Sequence, residues 1–185
     1  MMNIILASAS VRRIELMRLI TQDFIVRTSD VDESAITAPS PMQLSVSLAR
    51  AKCEAVAAQN AEDIVIGCDT VVDVDGKVFG KPHSKREAET TLNILSGRTH
   101  LVHTGVSIFC KGKYNVFSDT TKVFFTDIAA QDIKEYINTD EPYDKAGGYG
   151  IQGWAAKYVY RIEGCYYNIM GLPVSKLSSE LIRVF

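Results

Sequence analysis

The spacing of apolar residues changes several times along this chain, and each change marks an element. Residues 3–7 form a short apolar run that reads as a buried strand, broken by Ser8-Ala9-Ser10. Over residues 11–20, Ile14, Met17 and Ile20 fall close to one face at helical spacing. Residues 24–27 read as a second strand. Ser40 followed by Pro41 predicts a helix start, since the hydroxyl can take a free amide and proline already has helical φ. That helix should reach about Gln59, burying Leu44, Leu48, Ala51, Ala55 and Ala58.

Residues 64–68 are apolar with polar flanks, which predicts a central strand ending at Asp69. Asp75-Gly76 between residues 71–74 and 77–79 predicts a hairpin, because Asp-Gly supports the positive dihedrals of a tight turn. Ser84 and Glu87 form a capping box for a helix that Gly97 ends. Two β-rich segments, 99–110 and 114–125, flank Lys111-Gly112-Lys113 as an antiparallel pair. A helix near 131–137, a glycine-rich segment at 147–153, a strand at 157–162 and a helix from Ser175 complete the chain. Strands and helices are mixed rather than strictly alternating. The expected fold is α/β, a twisted mixed sheet with flanking helices, over a single unit of residues 1–185.

Composition narrows the chemistry. A chain of 185 residues can bury one core, or two lobes sharing a cleft. The net charge of −2 gives no general attraction to nucleic acid or to an acidic membrane, so any polyanion site must be local. Cys53, Cys68, Cys110 and Cys165 lie far apart, with neither zinc-site nor disulfide spacing, and the first three sit in apolar contexts as free thiols. No leader-like segment or bilayer-length apolar run is present, which fits the cytoplasm. His100 and His103 point to opposite faces of a strand and cannot share a metal.

Four stretches carry candidate chemistry. Ser8, Ser10, Arg12 and Arg13 pass from a strand end into a helix start, where free amides, hydroxyls and guanidinium groups suit a phosphate. The alternative is that Ser10 only caps the helix and the arginines face solvent. Asp69-Thr70 stands where a carboxylate could serve catalysis or bind a metal, or simply cap a turn. Lys81, in Gly80-Lys81-Pro82, could enter the same cleft or remain solvated. The run Asp144 to Gly153 contains four glycines and Gln152, and reads either as a close-approach ligand loop or as a surface loop. Cys68 has no identifiable basic neighbour to activate it and is assigned no nucleophilic role.

Taken together, these stretches resemble the Maf family of nucleoside triphosphate pyrophosphatases. The matching segments are LASASVRRIEL, the Asp32-Glu33 pair, LARAKCEA, IGCDTVV, GKP, LSGRTHLVHTGV, EPYDKAGGYGIQG and IEGCYYNIMGLPV, from residue 4 to about 174. Val11 departs from a usual proline, and Cys68 and Gly148 from usual alanines; none of these removes a charged position. The resemblance implies an inosine triphosphate pyrophosphatase-like fold with a cleft between two lobes, a divalent cation (Mg2+ or Mn2+) and a homodimer. It implies Asp69 as the catalytic acidic residue, with Glu33 completing the metal site. Arg13, Lys52 and Lys81 would be further polar cleft residues, placed around the substrate phosphates, and Arg12, Thr70 and Gln152 would govern substrate choice. Asp-Thr together with Tyr-Gly-Ile-Gln-Gly resembles the dTTP/UTP-hydrolysing branch. The branch acting on 7-methyl-GTP carries Gln after the Asp and an acidic residue in place of Gln152. The implied reaction is attack at the α-phosphorus with release of pyrophosphate, Asp69 acting as metal ligand or as base. A nucleotidyltransferase, which needs an acceptor, and a nucleotide-binding regulator of cell division remain as rivals.

Overall fold

The apolar strand β3 (Ile64–Val74) is the spine of a seven-stranded sheet in the computed structural model, which describes residues 2–184. β1 (Ile4–Ala7) lies parallel to its first half, with Ala7 opposite Gly67, and β2 (Ile25–Arg27) lies parallel to β1. β5 (Thr99–Cys110), β6 (Lys113–Phe125) and β7 (Val159–Glu163) extend the other side, all antiparallel. β4 (Lys77–Phe79) folds back onto β3 through Asp75-Gly76, both at positive φ as expected.

The strand does not end at Asp69, as its apolar run suggested. Pairing with β5 carries it on to Asp73, and β4 pairs with it through Val74. What ends nearby is β1. Because β5 occupies one edge of β3 from Val65 to Asp73, β1 and β4 must share the other, and residues 68–71 have no strand beside them there. The gap opens a cleft at Asp69 and Thr70.

α2 (Pro41–Ala57) covers one face of the sheet, and Ser40 Oγ accepts from the Gln43 amide as expected of its cap. Its buried stripe is not the expected one. Ser45, Leu48, Ala49, Cys53, Val56 and Ala57 are buried, while Ala55 and Ala58 are exposed. Small residues face inward because the helix rests on bare strand backbone. A Cβ on Gly67 would lie 2.7 Å from Cys53 N, and one on Gly105 would lie 2.5 Å from Val46 N.

The opposite face carries two clusters. Leu6, Ile64, Ile66, Cys68 and Val106 pack with α1 (Val11–Met17) and α6 (Val174–Val184), through Leu16 and Leu177. Val72, Val74, Val102 and Phe125 pack with α3 (Lys85–Leu95) and α4 (Ala130–Tyr136), through Leu92 and Ile133. Thr70 belongs to neither cluster, and its position on β3 divides them.

α1 is shorter than expected, since Leu19 and Ile20 bond three residues back and tighten the chain toward β2. Glu87 reaches the amide of His83, one residue before the expected Ser84 amide. β7 begins at Val159 because Trp154–Lys157 makes a 3-10 turn, and residues 147–153 likewise fold into short turns. α5 (Tyr166–Met170) was not anticipated, because five residues are too few to display a helical period.

Candidate active site

A cleft of about 1030 Å³ opens at the unpaired edge of β3. Every residue singled out from the sequence lines it: Ser8, Ser10, Arg12, Arg13, Glu33, Lys52, Asp69, Thr70, Lys81 and Gln152. Segments as far apart in the chain as Ser8 and Gln152 therefore share one space.

At its base Lys52 stands between two acids. Its Nζ donates to Asp69 Oδ1 at 2.5 Å and pairs with Glu33 Oε1 at 2.8 Å. Lys52 and Asp69 are 13% and 11% exposed in their side chains, so this pair is shielded from solvent competition, unlike a surface ion pair. The contact follows from helix placement. The backbone of α2 presses onto Gly67 at Cys53, which sets the neighbouring Lys52 above Asp69, two residues further along β3. Glu33 opens a 3-10 turn, Glu33–Ala35, whose amide Ser34 N is capped by Asp32 Oδ1 at 3.0 Å. Of the acidic pair Asp32-Glu33, Asp32 holds the turn and Glu33 reaches the cleft.

Arg13 is tied to the protein rather than free. Nε donates to Gly171 O at 2.8 Å, and Nη2 donates to Thr70 Oγ1 at 3.0 Å. Nη1 reaches Ser8 Oγ only at 3.5 Å and is the part of the fork left for a ligand. Thr104 Oγ1 donates to the Asn168 carbonyl at 2.9 Å, so the proton between Thr70 and Thr104 must come from Thr70. The chain runs Arg13, Thr70, Thr104, Asn168. The Thr70 hydroxyl thus has both its roles filled by protein, which the sequence could not reveal.

Arg12 crosses from α1 to the Glu141–Asp144 turn, where its Nη1 donates to Asp144 Oδ2 at 2.9 Å. Lys145 Nζ donates to the other oxygen of Asp144 at 2.5 Å. Burial alone would raise the Asp144 pKa; the hydrogen bonds from Lys145 and Arg12 outweigh it and hold the carboxyl below its ordinary range. Lys81 and Gln152 are exposed on the cleft wall. Sequence reasoning placed Asp144 and Lys145 in a candidate ligand loop without giving either a role, and did not single out Glu141; all three line the cleft. The available signal was a cluster of charge beside the glycine-rich run.

Five cationic and four carboxylate side chains line the cleft. For a ligand such as a triphosphate, with roughly four negative charges, one net positive charge would leave most of that charge unbalanced. Among the described residues no three His, Cys, Asp or Glu side chains converge as a metal cage. Glu33 and Asp69 converge on Lys52, and each has a carboxylate oxygen not used by that contact. Such a donor set fits a hard divalent cation of the Mg2+ type, held by one or two carboxylates with substrate phosphates completing the shell.

Burial pushes the Cys68 thiol up to about 12, so it is no nucleophile at neutral pH. All four cysteines are unpaired. His100 bonds Tyr149 Oη at 2.6 Å, whereas His103 lies between Asp73 and Thr120, and neither lines the cleft.

The sequence model of a family described as Maf-like protein matches residues 3–184. The chain is similar to a dTTP/UTP pyrophosphatase of Bacillus anthracis, 44% identical over 98% of this chain and 95% of that protein. It is 46% identical to a dTTP/UTP pyrophosphatase of Carboxydothermus hydrogenoformans, over 97% of each. Among solved structures it resembles the Ham1 protein of Staphylococcus aureus, with a TM-score of 0.56 and 17% identity over 98% of both chains. The HAM1 protein of Coxiella burnetii gives a TM-score of 0.54 at 14% identity, over 99% of this chain and 100% of that one. These two likenesses concern the fold: a mixed sheet flanked by helices around a cleft. No described helix is long and apolar enough to cross a membrane.

Proposed function

This chain belongs to the Maf-like protein family, and on that premise we propose that it hydrolyses dTTP or UTP to the nucleoside monophosphate and pyrophosphate. The observation that carries the reading is the Lys52 ammonium between Glu33 and Asp69 in a cleft that also holds Arg12, Arg13 and Lys81. The named activity of the two relatives supports it.

In this reading water attacks the α-phosphorus, an oxygen–phosphorus bond forms, and the bond from the α-phosphorus to the bridging oxygen breaks to release pyrophosphate. Glu33 and Asp69 are the residues that would hold Mg2+ or Mn2+, and a bound cation there supplies charge neutralisation to the phosphate chain. Lys52 keeps these two carboxylates together against their mutual repulsion. Asp69 acts through the oxygen that Lys52 leaves unbonded, as cation ligand or as acceptor of the water's proton. Arg12, Lys81 and the Nη1 edge of Arg13 bind phosphate oxygens, with Ser8 and Ser10 as hydroxyl donors. Gln152 offers an amide to the base edge. The unpaired cysteines fit a reducing cytoplasm.

The test is incubation with dTTP, UTP, CTP, ATP and 7-methyl-GTP, with Mg2+ or Mn2+ and no acceptor. Monophosphate and pyrophosphate should appear in equal amounts, and EDTA should stop the reaction. Release of diphosphate and orthophosphate would exclude attack at the α-phosphorus. Product formation only with an added acceptor would favour a nucleotidyltransferase, and tight binding without turnover a regulator.

A further inference from the structure

Asp144 stands between two cations of the cleft. Its Oδ2 accepts from Arg12 Nη1 at 2.9 Å and its Oδ1 from Lys145 Nζ at 2.5 Å. Lys145 Nζ also donates to the carbonyl of Glu141 at 2.8 Å. An ammonium has three donors, and these two partners leave one. The Lys145 stem is held as well, because it lies against Gly150. A Cβ there would come within 2.9 Å of Lys145 Cε and 3.1 Å of Cδ. The side chain is 15% exposed although the residue lines the cleft. The entropy a free lysine loses on being fixed is therefore lost during folding, before any ligand arrives.

A purely structural ion pair explains less. Asp144 is 63% exposed in its side chain, and ion pairs to so exposed a carboxylate contribute little to stability. The arrangement is also the inverse of that at Lys52. There one cation joins two carboxylates, which suits a metal ion; here one carboxylate joins two cations, which leaves these three side chains a net positive charge suited to an anion, while the Glu141 carboxylate nearby accepts from Trp154 N.

We propose that Lys145 is a further phosphate-binding residue of the cleft, and that Asp144 is the positioning residue that aims Lys145 and Arg12 together at the phosphate chain of the nucleotide. The inference rests on the triphosphate reading above, and its test separates the two. Binding of inorganic tripolyphosphate in the presence of Mg2+ is measured by calorimetry, alongside KM and kcat for dTTP and the melting temperature. Lys145→Met keeps the stem and removes the charge; it should weaken tripolyphosphate binding and raise KM by roughly 10- to 100-fold, with the melting temperature near that of wild type. Lys145→Arg should recover most of the affinity. Asp144→Asn should raise KM by a smaller factor, with kcat less affected.

Unchanged Kd and KM in Lys145→Met would overturn the proposal. So would a loss that tracks a lowered melting temperature and is not recovered by arginine. A wild type that binds tripolyphosphate through Lys145 but hydrolyses no nucleoside triphosphate would sink the pyrophosphatase reading and keep Lys145 as an anion ligand. Turnover by the wild type with affinity untouched in Lys145→Met would sink this inference alone.

Discussion

Gly67 and Cys53 meet so closely that a Cβ on Gly67 would lie 2.7 Å from the Cys53 amide nitrogen, and would also run into the Ala49 carbonyl. Both obstacles are backbone, so neither can swing aside. The preceding residue of the helix, Lys52, owes its place above Asp69 to this contact. Gly67→Ala should therefore lift α2 from the sheet. Overpacking of a tight core costs about 1–3 kcal/mol, and the site should suffer beyond that because Lys52 moves with the helix. A lowered melting temperature with a fall in kcat is expected. A destabilised protein with unimpaired kcat would mean that the Lys52–Asp69 contact does not depend on this packing.

Asp69→Asn keeps the size of the side chain and removes its charge. The kcat for dTTP should fall by at least ~10²-fold, the scale of a general base or of a lost charge at the reacting centre. Lys52 retains Glu33 as a partner at 2.8 Å, so the fold should survive. Circular dichroism checks the fold and pyrophosphate release the rate. Near-normal turnover would remove Asp69 from the mechanism.

Thr70 passes a hydrogen bond from Arg13 to Thr104 and has no donor left for a base. Thr70→Val should leave Arg13 Nη2 unpartnered, at a cost of about 1–3 kcal/mol shared between stability and catalysis. Its ranking of dTTP, UTP and CTP should match that of the wild type. A changed ranking with an unchanged rate would instead make Thr70 a direct reader of the base.

Gln152 is exposed on the cleft wall, where its amide can both donate and accept. Thymine and uracil present an acceptor–donor–acceptor edge. Gln152→Glu removes the donor and places negative charge against a carbonyl oxygen, so kcat/KM for dTTP and UTP should fall by a factor corresponding to roughly 1–3 kcal/mol. Positively charged 7-methyl-GTP should gain relative to both. A mutant with an unaltered nucleotide ranking would take Gln152 out of base recognition.

His100 is buried against Phe125 and Tyr149, and burial pushes its pKa down from 6.5 to about 4. The unfolded chain binds a proton where the folded one does not. Stability should therefore be complete above pH 6.5 and decline as pH falls toward 4, by a few kcal/mol. Comparing melting temperature against pH for wild type and His100→Gln isolates this contribution from that of the carboxylates. The variant should decline less steeply over that window, and parallel curves would assign the acid sensitivity elsewhere.

Local patterns determined a good deal of this molecule by themselves. Ser40-Pro41, Asp75-Gly76 and Ser84 set their caps and turn through neighbouring backbone, so their outcome did not depend on distant partners. The two long β-rich segments 99–110 and 114–125, joined by Lys111-Gly112-Lys113, likewise specified an antiparallel pair. The ordered blocks of the sequence also supplied ten candidate residues, from Ser8 to Gln152, that all line the cleft. Tertiary contacts decided the rest. The extent of β3 was set by pairing with β5, whose Leu101–Thr104 lie opposite Thr70–Asp73, so Asp69 became a mid-strand residue beside a missing neighbour. The buried stripe of α2 was decided by Gly67 and Gly105, since an absent Cβ on the sheet rewards small residues on the helix. Whether an arginine faces solvent, a ligand or a carbonyl has no local signature. Arg13 is held by Gly171, and Arg12 by Asp144, each more than a hundred residues distant. Charge and hydrogen-bonding capacity are properties of the residue, but the partner that uses them is a property of the fold.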